Sequence, residues 1–122
     1  MIKKLAKVGI YTGDQQRSLD FFTRSLGFEV RSDEPMGPGA RWIEVAPPDG
    51  QSSLVLWTPP GMEGRIGTFS GMVFSCDDIQ ATFAALRERG VQFTQEPTDQ
   101  PGGVMATFTD PDGNAYVLRE GD

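Results

Sequence analysis

The chain contains no histidine. That absence excludes a Ser-His-Asp or Cys-His catalytic machine and any zinc or iron site that depends on imidazole. It also removes the side chain best matched to proton transfer near neutral pH, which leaves carboxylates, Lys, Tyr or a thiol for such work. Cysteine is nearly absent too. Cys76 stands alone, so no disulfide forms within the chain and no C-x-x-C metal pair exists; a reducing, cytoplasmic setting is the simplest expectation. No apolar run approaches the roughly 20 residues that span a bilayer. The opening residues Met1 to Lys7 carry charge but lack the apolar core of a signal peptide, because Lys7 interrupts it. Basic residues are outnumbered, 11 against 17 acidic, for a net charge of −6. With no Lys/Arg cluster, neither nucleic acid nor a membrane is expected as a partner.

What the chain has in quantity is glycine and proline, 15 and 9 in 122 residues. That composition predicts many tight turns and short strands, in a length suited to one domain. The order of elements then repeats. In the first half a strand around Val8 and Ile10 precedes a helix that Asp14 caps, carrying Leu19, Phe22 and Leu26 at helical spacing and stopping at Gly27. An extended segment follows at Phe28–Val30, then a Gly/Pro-rich loop from Asp33 to Ala40. Two strands, 42–45 and 53–57, are joined by Pro47-Pro48-Asp49-Gly50. In the second half the same order runs through the strand 72–76, a helix capped by Asp77-Asp78 and stopping at Gly90, the strand 91–93 and a loop from Glu96 to Gly103. It closes with two strands joined by Asp110-Pro111-Asp112-Gly113-Asn114. Val8 to Met72, Asp14 to Asp78 and Phe22 to Leu86 are 64 residues apart; Gly27 to Gly90 and Asp49 to Asp112 are 63 apart. The echo predicts two βαβββ modules, 1–58 and 69–122, with a linker over 59–68. One deletion at the end of the second helix accounts for the change of offset.

Each module then has one helix covering one face of a sheet, an α+β architecture. Strand alternation assigns Val8, Ile10, Ile43, Val45, Leu54, Leu56, Met72, Phe74, Tyr116 and Leu118 to the helix side. The opposite side carries Lys7, Gly9, Tyr11, Trp42, Glu44, Ser53, Val55, Trp57, Gly71, Val73, Ser75, Ala115, Val117 and Arg119. A plain interior holds few charges and a solvated face seldom carries two Trp, so this mixture points to a binding cleft, a subunit interface, or both.

The segment Gly13-Asp14-Gln15-Gln16-Arg17-Ser18-Leu19-Asp20-Phe21-Phe22 with Leu26-Gly27-Phe28, the turn Asp110 to Asn114 before the last strand, and the paired modules together resemble the vicinal oxygen chelate superfamily. That group contains glyoxalase I, extradiol dioxygenases and the bleomycin and fosfomycin resistance proteins. The resemblance implies two tandem βαβββ modules forming a curved mixed sheet around a cleft, usually in a homodimer. In glyoxalase-like enzymes it further implies a divalent metal held by one residue, mostly His or Glu, from each of four strands. Those positions fall on Lys7, Val55, Gly71 and Val117, none a usable ligand, and shifting by one residue brings in no His and no carboxylate. No metal or other cofactor is therefore expected.

The candidate side chains each have two readings. Trp42 and Trp57 stack on a planar or cationic ligand, or pack in the core or a dimer interface. Glu44 accepts hydrogen bonds from a ligand, or acts as a base if desolvation raises its pKa, or is a strand carboxylate paired with Lys7 or Arg119. Lys7 neutralises an anionic substrate or snorkels at the surface, and Tyr11 donates a hydrogen bond in the cleft or simply packs. Arg119 reaches the cleft mouth or is solvated. Cys76 is read as a buried small apolar residue and the Asp110–Asn114 segment as a hairpin turn. The leading expectation is a protein that binds a small aromatic, amphiphilic or cationic molecule in a Trp-containing cleft. Two alternatives stay open. One is a glyoxalase- or dioxygenase-type enzyme using a carboxylate-bound metal or metal-free acid–base work by Glu44, Lys7 and Tyr11. The other is a structural or interaction module with the Trp face buried between subunits.

Overall fold

The computed structural model describes residues 1–121. Two compact units divide the chain, the first Met1–Ile66 and the second starting at Gly67. In the first, β1 (Lys7–Ile10) leads to α1 (Gln15–Asp20), a π-helical turn (Phe21–Ser25), β2 (Glu29–Pro35), β3 (Arg41–Ala46) and β4 (Ser53–Leu56), and a 3₁₀ turn at Glu63–Arg65 follows. In the second, β5 (Phe69–Cys76), α2 (Ile79–Glu88), β6 (Gln92–Gln100), β7 (Gly103–Thr109) and β8 (Ala115–Glu120) repeat the order. Each unit has a four-stranded mixed sheet, β1-β4-β3-β2 and β5-β8-β7-β6, in which the β1–β4 and β5–β8 pairs are parallel and the rest antiparallel. The fold is α+β.

The helices begin where the Asp residues stand. Asp14 and Asp78 are extended, and each side chain accepts a hydrogen bond 3.0 Å long from a first-turn N–H, that of Arg17 or Ala81. They end at Gly27 and Gly90, whose φ of 77° and 90° suit glycine. Between these points the two units differ by one residue, and the structure shows where it goes. Phe28 N–H bonds the Phe22 carbonyl across six residues, whereas Val91 N–H bonds the Leu86 carbonyl across five. The first helix absorbs the extra residue as a π turn, with Leu26 N–H on the Phe21 carbonyl. The change of offset is thus better described as an insertion in the first helix than as a deletion in the second, and the helix expected to run as one α segment to Leu26 changes type at Phe21.

Of the loops expected at Asp33–Ala40 and Glu96–Gly103, the first is strand only over 33–35 and a turn beyond, whereas the second is largely strand. β2 runs to Pro35, and β6 to Gln100, only two residues before β7. Their Pro/Gly-rich composition misled because both are edge strands, where Pro35 and Pro97 need no ladder N–H. Bulges at Val30/Ser32, Phe93/Gln95 and Gln95/Thr98 absorb the irregularities.

Each core lies between helix and sheet. In the first unit Leu19, Phe21 and Phe22 meet the side holding Ile10, Ile43, Val45, Leu54 and Leu56, all buried. In the second, Ile79 and Leu86 serve the side with Ala106, Phe108, Tyr116 and Leu118, and Phe74, Phe108 and Tyr116 stack with centroids 5.4–6.2 Å apart. Val8, Met72 and Phe74, assigned to the same side, are only half-buried. Among the described residues no helix is long and apolar enough to cross a membrane.

Candidate functional site

The site is built on the face of the first sheet that α1 does not cover. Register places Glu44 opposite Val55, and Val55 opposite Gly9. Two residues further along, the same antiparallel register sets Trp42 beside Trp57, and their rings lie 6.0 Å apart, tilted by 48°. Both indoles are half-buried. Tyr11 follows the end of β1. The chain is held alongside β4 there, since Thr12 N–H donates to the Thr58 hydroxyl at 2.8 Å and that hydroxyl donates to the Thr12 carbonyl at 2.9 Å. A Cβ on Gly9 would stand 3.4 Å from the Tyr11 ring, which places that ring beside Gly9 along this face.

Glu44 is the hub. Lys7 Nζ donates to its Oε1 at 2.9 Å, and the Trp42 indole Nε1 donates to its Oε2 at 2.7 Å. The Trp42 hydrogen bond, then that from Lys7, hold the carboxyl below its ordinary range; desolvation pushes the other way and loses, and Ser53 adds a further hydrogen bond. The raised pKa that would make Glu44 a base is therefore not what these neighbours produce. The arrangement that forms is the ion pair with Lys7, whose side chain keeps 51% of its exposure while that of Glu44 keeps 12%. Strand alternation puts Ser53 and Gly9 on this face but gives neither a role. The available signal was register: Ser53 pairs with Lys7 on the adjacent parallel strand.

The four positions where the resemblance implies a metal do not fit one. Lys7 is engaged with Glu44, and Val55 and Val117 offer only hydrocarbon. Gly71 has no side chain and sits at φ 74° in an irregular stretch of β5, a conformation that disfavours any residue able to ligate. Among the described residues no group of three or more Cys, Asp or Glu is placed to hold a metal ion.

The remaining candidates lie in the second unit. Arg119, on β8, donates through Nη2 to the Gly102 carbonyl at 3.2 Å; the ion pair made by Glu44 is the one with Lys7. Cys76 is half-buried rather than buried, its thiol contacts the Arg119 carbonyl at 3.5 Å, and desolvation pushes its pKa up, away from a nucleophilic thiolate. The Asp110–Asn114 segment is a hairpin turn. Asp110 accepts from the backbone N–H groups of Asp112 and Asn114, from Asn114 Nδ2 at 2.9 Å and from the Tyr116 hydroxyl at 2.6 Å. A concavity of about 340 Å³ at the end of α2, lined by Phe83, Arg87, Val91, Phe93 and Glu96 among others, contains none of the sequence candidates.

The sequence profile of the Glyoxalase/Bleomycin resistance protein/Dioxygenase superfamily matches residues 4–118. The uncharacterized protein YetH of Bacillus subtilis (strain 168) is 38% identical over 120 residues, covering 98% of this chain and all of that one. A crystal structure of a superfamily member from Sphaerobacter thermophilus DSM 20745 superposes with a TM-score of 0.89 at 36% identity, covering 98% of each chain. TnmS3, described as an antibiotic binding protein from Streptomyces sp. CB03234, superposes with a TM-score of 0.84 at 35% identity, covering 99% of this chain and 98% of its own. With the repeated βαβββ order, the same length and a profile match over nearly every residue, the chain belongs to the Glyoxalase/Bleomycin resistance protein/Dioxygenase superfamily.

Proposed function

We propose that the protein binds a small aromatic molecule on the tryptophan-bearing face of its first unit, without a metal. The observation that carries this reading is the Trp42–Trp57 pair, 6.0 Å apart and half-buried, with the Trp42 N–H already committed to Glu44. The two rings offer a ligand apolar area to cover, and large rigid rings bind at low entropic cost. The similarity to an antibiotic-binding protein at 35% identity over nearly the whole chain supports the same class of activity. The reading needs none of the four positions at which related enzymes hold metal.

Trp42 and Trp57 are the two tryptophans of the chain, so its intrinsic tryptophan fluorescence reports on this face alone. Titration with a panel of mono- and polycyclic aromatic compounds is expected to give a saturable change in that fluorescence. Binders should also raise the melting temperature, with a stabilisation of about 2.7 kcal/mol at a ligand concentration 100 times Kd. Trp57→Ala should weaken a binder at least about tenfold, or 1.4 kcal/mol. A panel that moves neither signal overturns the proposal.

A further inference from the structure

We infer that Lys7 and Glu44 set the specificity of this face by cancelling each other's charge beside the tryptophans, so that the ligand class is an uncharged planar aromatic. The inference rests on the binding role proposed above and narrows it. It starts from strand order. Lys7 is on β1 and Glu44 on β3, with β4 between them, so the contact of 2.9 Å spans a strand. It places a full positive and a full negative charge together on the face that also holds Trp42 and Trp57. Both carboxylate oxygens are engaged, one by the ammonium and one by the Trp42 N–H.

Each charge governs what the other can do. A cationic ligand approaching Glu44 meets a carboxylate already neutralised and a half-exposed ammonium that repels it. An anionic ligand approaching Lys7 must displace Glu44, whose other oxygen is tied to the indole. An uncharged ring disturbs neither partner. Glu44 also acts as a positioning residue, because its Oε2 holds the Trp42 indole by the N–H and so sets how the ring is presented. The other charged residue in register with these side chains is Glu34, opposite Trp42 on edge strand β2. It is exposed, so water and salt screen its field.

The test uses three probes with one ring: anthracene bearing a hydroxymethyl, an aminomethyl or a carboxylate group at the same carbon, titrated at pH 7 by tryptophan quenching. The wild-type protein should bind the hydroxymethyl probe most tightly. Lys7→Met leaves Glu44 uncompensated and should strengthen the aminomethyl probe by about tenfold relative to the others. Glu44→Gln leaves Lys7 uncompensated and should strengthen the carboxylate probe by a similar factor. The double variant should restore the wild-type order, which loss of packing alone would not do. Lys7 is half-exposed, so the Lys7→Met arm stands even if Glu44→Gln folds poorly. A wild-type protein that prefers the aminomethyl probe tenfold, or an order of affinities unchanged in Lys7→Met, overturns the specificity inference and leaves the binding role standing. If no probe quenches the wild-type protein while other aromatic compounds do, the inference alone falls; if nothing aromatic binds, both fall.

Discussion

At the scale of single residues, two buried carboxylates are handled in opposite ways. Glu44 receives hydrogen bonds from Trp42 and Lys7, and its pKa falls below the ordinary value of 4.5. The unfolded chain therefore takes up this proton first as the solution is acidified. The stabilisation from the pair is complete above about pH 4.5 and is lost as pH falls through the lower folded value. Denaturation at pH 7 and at about pH 3 should show the stability difference between wild type and Glu44→Gln shrinking towards acid; a constant difference would sink this account. For Asp110, desolvation outweighs the hydrogen bonds from Tyr116 and Asn114, and its pKa rises. The folded chain holds that proton more strongly, so acidification relieves a cost instead of adding one. Asp110 nonetheless organises its turn by accepting from two backbone N–H groups and two side chains. Asp110→Ala should cost about 2–3 kcal/mol in urea denaturation, because buried donors lose their partner.

Among the elements, the first helix is the instructive one. The second unit closes its helix with one residue fewer, so the fold accommodates either length. Phe21 and Phe22 are both buried, with rings packed edge to face at 5.3 Å; the π turn starts at Phe21 and carries the added residue through the exposed side, where Arg24 lies. Deleting Arg24 should leave a folded protein that unfolds cooperatively, with its last turn converted to α-helix. Loss of cooperative unfolding would mean that the π turn is required rather than tolerated. The edge strands teach a related lesson. The segments 33–35 and 96–100 look like loops in composition, yet they are strand because an edge position leaves proline's missing N–H without a ladder partner to disappoint.

For the molecule as a whole, β5 presents Phe69 and Val73 with 61% and 55% of their surfaces exposed, on a strand that forms the edge of its sheet. Apolar residues on an edge strand invite pairing with another chain. The homodimer that the family resemblance implies is one way to cover them. Light scattering coupled to size exclusion should then find a dimer for the wild type and a monomer for the Phe69→Glu, Val73→Lys double variant, with little change in secondary structure. A monomeric wild type at micromolar concentration would rule this out.

The sequence by itself determined the repeat, the helix starts at Asp14 and Asp78, the stops at Gly27 and Gly90, and the two-sided sorting of the strands. These are local properties, set by side-chain periodicity of two or 3.6 residues and by caps a few residues long. It also placed Trp42 and Glu44 on one face, since they stand two residues apart on one strand. Only the tertiary structure decided that Lys7 reaches Glu44, that Trp57 stands beside Trp42, and that the Glu44 pKa moves down. Each depends on which strands are neighbours and in what register: β4 between β1 and β3 brings Lys7 to Glu44, 37 residues on in the chain, and the β3–β4 register brings Trp57 beside Trp42. The missing histidines excluded one chemistry from the composition alone. The pairing of Lys7 with Glu44 across β4 emerged only from non-local strand pairing.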